Sequence, residues 1–367
     1  MSPANAIFPG VPIVESPLFG QLVDTLGLTD TQRSAATQLH ERGYALIDFP
    51  DPLVGERIDR IKARLAPVFG VDFDDPAVIK NAKGDLRVQD AWQFDEDVRA
   101  IAANAEVLEL LSALYGRRAF PFQTLNFPVG TQQNLHSDSI HFSSIPERFM
   151  CGVWLAFEDV SEGAGPLEYL PGSHKWPIVS NEMIGRRGED HREGSAQDPF
   201  EQAWQAMVAA SGLQKEQFLP RKGQALIWAA NLLHGGSLQT DPTLTRWSQV
   251  THYYFDDCVY YTPAFSNEAF GELDVRSITN IATGALVPNL RQGQEYRVAK
   301  AEAAPRRKFW KGMARKAAAP HPDLPADFDA EAYYQLNPDV AKSGVDAAEH
   351  YLNHGRGEKR LYRRPSL

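Results

Sequence analysis

The chain of 367 residues is 43% hydrophobic and 23% charged, with 47 acidic against 37 basic residues and a formal net charge of −10. Its length suggests two domains, or one large domain and a small one. An aromatic content of 10% excludes disorder along the whole chain. No run of about 18 apolar residues is present to cross a membrane, and the opening MSPANAIFPG does not read as a signal peptide.

The charge is uneven. Residues 301–320 carry six basic residues against Glu302, a net +5, and residues 321–367 carry six basic against eight acidic, so residues 1–300 hold −13. An acidic body argues against nucleic acid as the partner, because phosphate binding needs clustered Lys and Arg. Two cysteines, Cys151 and Cys258, make neither a disulfide framework nor a CxxC zinc pattern. A reducing cytoplasm is the expected compartment.

Thr29 and Gln32 form a capping box ahead of a helix that should end near Gly43. Tyr44–Phe49 reads as a strand, and Leu53, Val54, Ile58, Ile61 and Leu65 recur at helical spacing. A third helix is predicted from Glu96 to Tyr115, closed by Gly116. From residue 119 the period changes: Phe120–Phe127, Phe149–Phe157, Gly223–Ala230 and Arg246–Phe255 are short and rich in β-branched and aromatic residues, with turn clusters between them. Strands without intervening helices predict a mainly β chain with flanking α-helices, built as an antiparallel sandwich or barrel. Arg186–Asp198, followed by the amphipathic stretch 200–210, reads as a surface insertion that could cover a site. The Ala/Pro-rich basic stretch 299–325 reads as a linker between residues 1–298 and a small helical module at 326–367.

The chemistry centres on His136-Ser137-Asp138. In a strand, residues i and i+2 share a face, so an imidazole and a carboxylate would project together. His234, in LLHGGS, supplies a third donor. Two His and one carboxylate leave one face of a metal open, which suits non-haem Fe(II) binding a co-substrate and O₂. Alone, the HxD is equally a structural hydrogen-bonded pair. Twelve residues after His234 comes Arg246-Trp247-Ser248, where Arg246 and Ser248 on one strand face can clamp a carboxylate.

HSDSIHF, VWLAFEDVSEGAGPLEYLPGSHKW, GQALIWAANLLHGGS and RWS together resemble the phytanoyl-CoA dioxygenase family of Fe(II)/2-oxoglutarate oxygenases, over residues 35–260. The resemblance implies a double-stranded β-helix (jelly-roll, cupin-like) core with iron held by His136, Asp138 and His234. It implies that Arg246 with Ser248 holds the distal carboxylate of 2-oxoglutarate. It places Asn126, Trp154 and Ser237, and more weakly Gln123, on the wall of the oxoglutarate pocket. The activity implied is hydroxylation of an unactivated C–H bond of a small molecule, acyl compound or glycan precursor, with release of succinate and CO₂. Desaturation or epimerisation, or a non-catalytic jelly roll that binds a ligand or glycan, are the alternatives.

His141 would point to the opposite face if a strand continued past Asp138, or return toward the site from a loop. His174 reads as a supporting group, His191 as solvated, and His252 as packing inside the barrel. FDAEAYYQLNPDV…HYLNHGRGEKR is similar to a short module of bacterial surface-polysaccharide proteins. That likeness tilts the expected substrate toward a surface-polysaccharide or lipid precursor. The basic linker is expected to attract a membrane surface or protein partner weakly.

Overall fold

The computed structural model describes residues 7–80, 86–188, 195–296, 324–325, 327–337, 340, 345–358 and 360–362. Its contacts divide the chain into two units, Met1–Ala82 with Arg87–Tyr296, and Lys83–Leu86 with Arg297–Leu367.

In the larger unit, Thr29 caps α1 (Asp30–Arg42) with the reciprocal Gln32 contact, and Gly43 ends it in the left-handed region at φ 84°. The strand β1 (Tyr44–Asp48) follows, then α2 (Val54–Phe69), whose Ile58, Ile61 and Leu65 are fully buried. The predicted third helix is two helices, α3 (Glu96–Ala102) and α4 (Ala105–Tyr115). The cause is Asn104, whose side chain accepts from the Val107 N–H and starts a new helix there.

The β core follows as β2 (Val88–Gln89), β3 (Ala119–Phe127), β4 (Ser143–Ile145), β5 (Met150–Ala156), β6 (Leu167–Tyr169), β7 (Glu216–Phe218), β8 (Gln224–Ala229), β9 (His234–Gly236) and β10 (Ser248–Phe255). One sheet of six strands runs β1-β8-β5-β10-β3-β2, and a second of three runs β7-β6-β9. Every pairing is antiparallel. This is a jelly-roll core with helices around it. Tyr44, Trp154, Tyr169, Phe218, Leu226 and Leu232 are among the side chains that fill it.

Register places the inward side chains in rows across the large sheet. Tyr44, Trp228, Gly152, His252 and Gln123 form one row; Leu226, Trp154, Val250 and Leu125 form the next. The first row has a gap at Gly152. A Cβ there would lie 2.1 Å from the Trp228 ring, so only glycine lets that indole cross the sheet.

The predicted insertion provides α5 (Asp198–Ser211), which packs Phe200 and Trp204 against Leu170 and Leu233. His191 lies outside the described residues.

In the smaller unit, Ala330–Leu336 and Ala347–His350 are helical, and a wider turn runs over Tyr351–Gly355. Tyr333, Val340, Ala347 and Tyr351 form its core, against Phe328 and Tyr362. Tyr333 Oη meets His350 Nδ1 at 2.9 Å. The predicted linker falls mainly outside the described residues.

Candidate metal centre

The HxD motif does not sit in a strand. His136 makes an isolated antiparallel bridge to His234, with N···O distances of 2.9 and 3.0 Å, and Asp138–Ile140 then turns as a single 3₁₀ turn. The bridge brings the two histidines together. Gly235 makes the approach feasible, since a Cβ there would lie 2.6 Å from the Gln133 carbonyl.

The donor atoms of His136, Asp138 and His234 lie within 4.8 Å of one another, and all three residues are buried. His136 Nε2 is 3.9 Å from Asp138 Oδ1, and His234 Nε2 is 3.7 Å from Asp138 Oδ2. His136 Nδ1 donates to the Asn134 carbonyl at 2.9 Å, and His234 Nδ1 donates to the Leu232 carbonyl at 3.0 Å. Both tautomers are thereby fixed, and each Nε2 lone pair faces the centre. Burial pulls the His136 imidazole down to about 4, so it is neutral at pH 7. Burial alone would raise the Asp138 carboxyl, but His234, His252 and His136 hold it well below the usual carboxylate range. Two imidazoles that turn Nε2 to the centre and one carboxylate are the donor set an Fe(II) site needs.

Sequence reasoning did not single out Trp228 and took His252 as packing inside the barrel. Trp228 Nε1–H donates to Asp138 Oδ2 at 2.9 Å, while His252 Nε2 lies 3.6 Å from the same oxygen. The available signal for Trp228 was general: a buried indole N–H needs an acceptor.

Beside this centre is a cavity of about 310 Å³. Arg246, Trp154 and Gln123 line it. Arg246 is 2% exposed, and its Nη1 donates only to the Gly165 carbonyl, at 2.9 Å. No carboxylate pairs with it among the described residues, and its Nε has no partner. Burial pulls this guanidinium down to about 10, which leaves it charged at neutral pH. Ser248 shares the inward face of β10 with Val250 and His252, fully buried, and its Oγ is also unpartnered. A buried cation with no carboxylate beside it among the described residues, and a buried hydroxyl with no partner, fit the distal carboxylate of 2-oxoglutarate.

Two expected wall residues lie elsewhere. Asn126 is one residue out of phase with Leu125 and Phe127, which line the cavity, and its Nδ2 donates to Gln249 on the opposite face. Ser237 donates to the Pro166 carbonyl at 2.6 Å and tightens a turn. His141 does reach the cavity, because the chain turns after Asp138. His174 stands away from it against α1, with Nε2 3.1 Å from the His40 carbonyl.

Residues 39–240, more than half of the chain, match the family described as phytanoyl-CoA dioxygenase (PhyH). The chain belongs to the phytanoyl-CoA dioxygenase family. As a member of that family it is a 2-oxoglutarate-dependent non-haem iron oxygenase, and the His-Asp-His cluster is its potential iron site. No curated protein matches the chain.

Three solved structures resemble this family member. The α-ketoglutarate-dependent carbocyclase SnoK from nogalamycin biosynthesis is 18% identical, over 64% of this chain and 87% of its own, at a TM-score of 0.46. The epimerase SnoN, in complex with Fe3+, alpha ketoglutarate and nogalamycin RO, is 19% identical, over 73% and 96%, at 0.47. EctD from S. alaskensis, with 2-oxoglutarate and 5-hydroxyectoine, is 16% identical, over 70% and 85%, at 0.47.

Proposed function

We propose that this protein hydroxylates an unactivated C–H bond of a small molecule, with His136, Asp138 and His234 holding the iron and Arg246 with Ser248 holding 2-oxoglutarate. The observation that carries the reading is the pair of unpartnered buried groups, Arg246 Nε just before β10 and Ser248 Oγ at its first residue, in the sheet that also carries Trp228 and His252 beneath the metal centre. Held by these residues, iron with 2-oxoglutarate would supply the activation of O₂ for oxidation of the C–H bond, with succinate and CO₂ as co-products.

The chain's own part is binding and orientation. Arg246 neutralises and aligns the distal carboxylate by its planar fork, and Trp154 lies against the guanidinium at 5.6 Å. Phe127, Leu167 and Val250 keep that end of the cavity apolar, which strengthens the ion pair by excluding water. Trp228 holds the Asp138 carboxylate, and the backbone carbonyls of residues 134 and 232 hold the imidazoles. The likeness of residues 326–367 to a surface-polysaccharide module supports a surface-polysaccharide or lipid precursor as the substrate, with the tail as a separate unit.

Succinate formation from 2-oxoglutarate by the Fe(II)-loaded protein tests this reading. A slow substrate-free rate is expected. An Arg246→Ala protein that turns over oxoglutarate with unchanged kinetics contradicts it.

A further inference from the structure

Asp138 opens a turn that runs on into the cavity wall. Its carbonyl accepts from the His141 N–H at 2.9 Å and from the Phe142 N–H at 2.8 Å, and the side chains of both residues line the cavity. The next residues form β4, which pairs antiparallel with β11 (Val259–Tyr261). A shift of His141 and Phe142 therefore reaches the backbone of the metal-ligating carboxylate within a single turn.

Arg276 grips this turn at its far end. Its guanidinium lies over the Phe142 ring at 4.9 Å. Its Nη1 donates to the His141 carbonyl across a long 3.4 Å and to Thr262 Oγ1 at 3.1 Å. The arginine is itself fixed to β11. Its N–H donates to the Tyr260 carbonyl at 2.8 Å, its carbonyl accepts from Asn289 Nδ2 at 3.0 Å, and Asn289 Oδ1 accepts the Tyr260 N–H at 2.7 Å. Phe142 also meets Phe122 edge-on at 5.4 Å and His252 at 5.0 Å, so its ring is held between the large sheet and the guanidinium.

The two Nη1 bonds are the only ones the Arg276 side chain makes among the described residues, so no carboxylate pairs with it, and its Nε has no partner. Half-burying a cation without a counter-charge is costly. What this one receives in return is a ring face, attractive to a cation through its quadrupole, and a carbonyl from the same turn. A planar guanidinium can stack on a ring and donate from its edge at once, whereas an ammonium cannot do both equally well.

We propose that Arg276 is a positioning residue for the metal centre. Among the described residues its side chain bonds to no member of the triad. It holds the His141–Phe142 end of the turn so that Asp138 presents its carboxylate beside His136 and His234. The proposal rests on the reading of those three residues as the iron ligands. It adds to them a residue beyond the span 39–240 that matches the family.

Co(II) binding to the metal-free full chain tests this without any turnover, by equilibrium titration and by the d–d absorption of the bound ion. Arg276→Met keeps an apolar stem and removes the guanidinium. It should weaken Co(II) several-fold, less than the about 10–100-fold typical of losing a ligand's direct partner, and shift the absorption bands. Arg276→Lys should fall between Arg276→Met and the wild type. Phe142→Leu removes the ring beneath the guanidinium. Because both residues act through one turn, the double variant should weaken Co(II) by less than the product of the two single effects. Wild-type affinity and spectrum in Arg276→Met, with only the thermal midpoint of the metal-free protein lowered, overturn the proposal. So do single effects that simply multiply in the double variant. Where Arg276→Met does not fold, Arg276→Lys and Phe142→Leu decide, and wild-type Co(II) binding by both overturns the proposal. Failure of the wild-type chain to bind Co(II) overturns the reading of the metal centre instead.

Discussion

Single side chains decide the chemistry, and two of them make sharp predictions. Trp228→Phe keeps an aromatic ring on the gap at Gly152 but removes the N–H bonded to Asp138 Oδ2. Losing a partner that orients a metal ligand typically costs about 10–100-fold in metal affinity. A Co(II) titration should show a loss of that size, with the thermal midpoint of the metal-free protein little changed. Unchanged affinity would mean that the indole only packs. Arg246→Ala removes a buried cation whose only bonded partner is a backbone carbonyl. Truncating one member of a buried charged pair costs about 2–5 kcal/mol, so the KM for 2-oxoglutarate should rise on the order of 100-fold or more. Arg246→Lys should restore only part of that loss, because an ammonium offers no planar fork. An Arg246→Lys protein with full wild-type kinetics would show that charge alone suffices.

The elements show how much was legible in the sequence. Local signals were readable: the Thr29–Gln32 box, the Gly43 stop and the apolar stripe Ile58, Ile61, Leu65 all act through neighbours on the same helix. Thr29→Ala removes the hydroxyl that accepts from the Gln32 N–H and should cost about 1 kcal/mol in chemical denaturation. Because Thr29 is exposed on α1, the KM for oxoglutarate should not move. The single helix expected over Glu96–Tyr115 failed because apolar periodicity does not register a cap at Asn104. The metal motif was found by residue type, but its backbone was misread. His136 and Asp138 converge through a bridge to His234 and a 3₁₀ turn, long-range features without a local signature. The same turn explains why His141 reaches the cavity. Asn126 was placed on the wall by resemblance alone; in β3 it lies one residue out of phase with Leu125 and Phe127, a phase set by the pairing with β10. The roles of Trp228 and His252 were missed because each works through a partner distant in sequence.

At the scale of the whole molecule, every residue assigned to iron and oxoglutarate lies in the larger unit, before residue 250. The smaller unit has its own aromatic core around Tyr333 and Tyr351. A chain ending at Tyr296 should therefore fold, bind Fe(II) and convert 2-oxoglutarate at the full-length rate. Insolubility or loss of iron binding would make residues 297–367 part of the catalytic fold. The acidic body, −13 over residues 1–300, fits a small-molecule enzyme with no nucleic-acid partner. The central claim is that His136, Asp138 and His234 together hold the iron that oxoglutarate turnover requires. It is tested most directly by Fe(II)-dependent formation of succinate from 2-oxoglutarate, measured side by side for the wild type and Asp138→Ala, each with its bound iron quantified. The wild type should form succinate only with Fe(II) present, while Asp138→Ala should remain folded, retain little iron and form none. Equal iron binding and equal succinate formation by the two proteins would contradict the account.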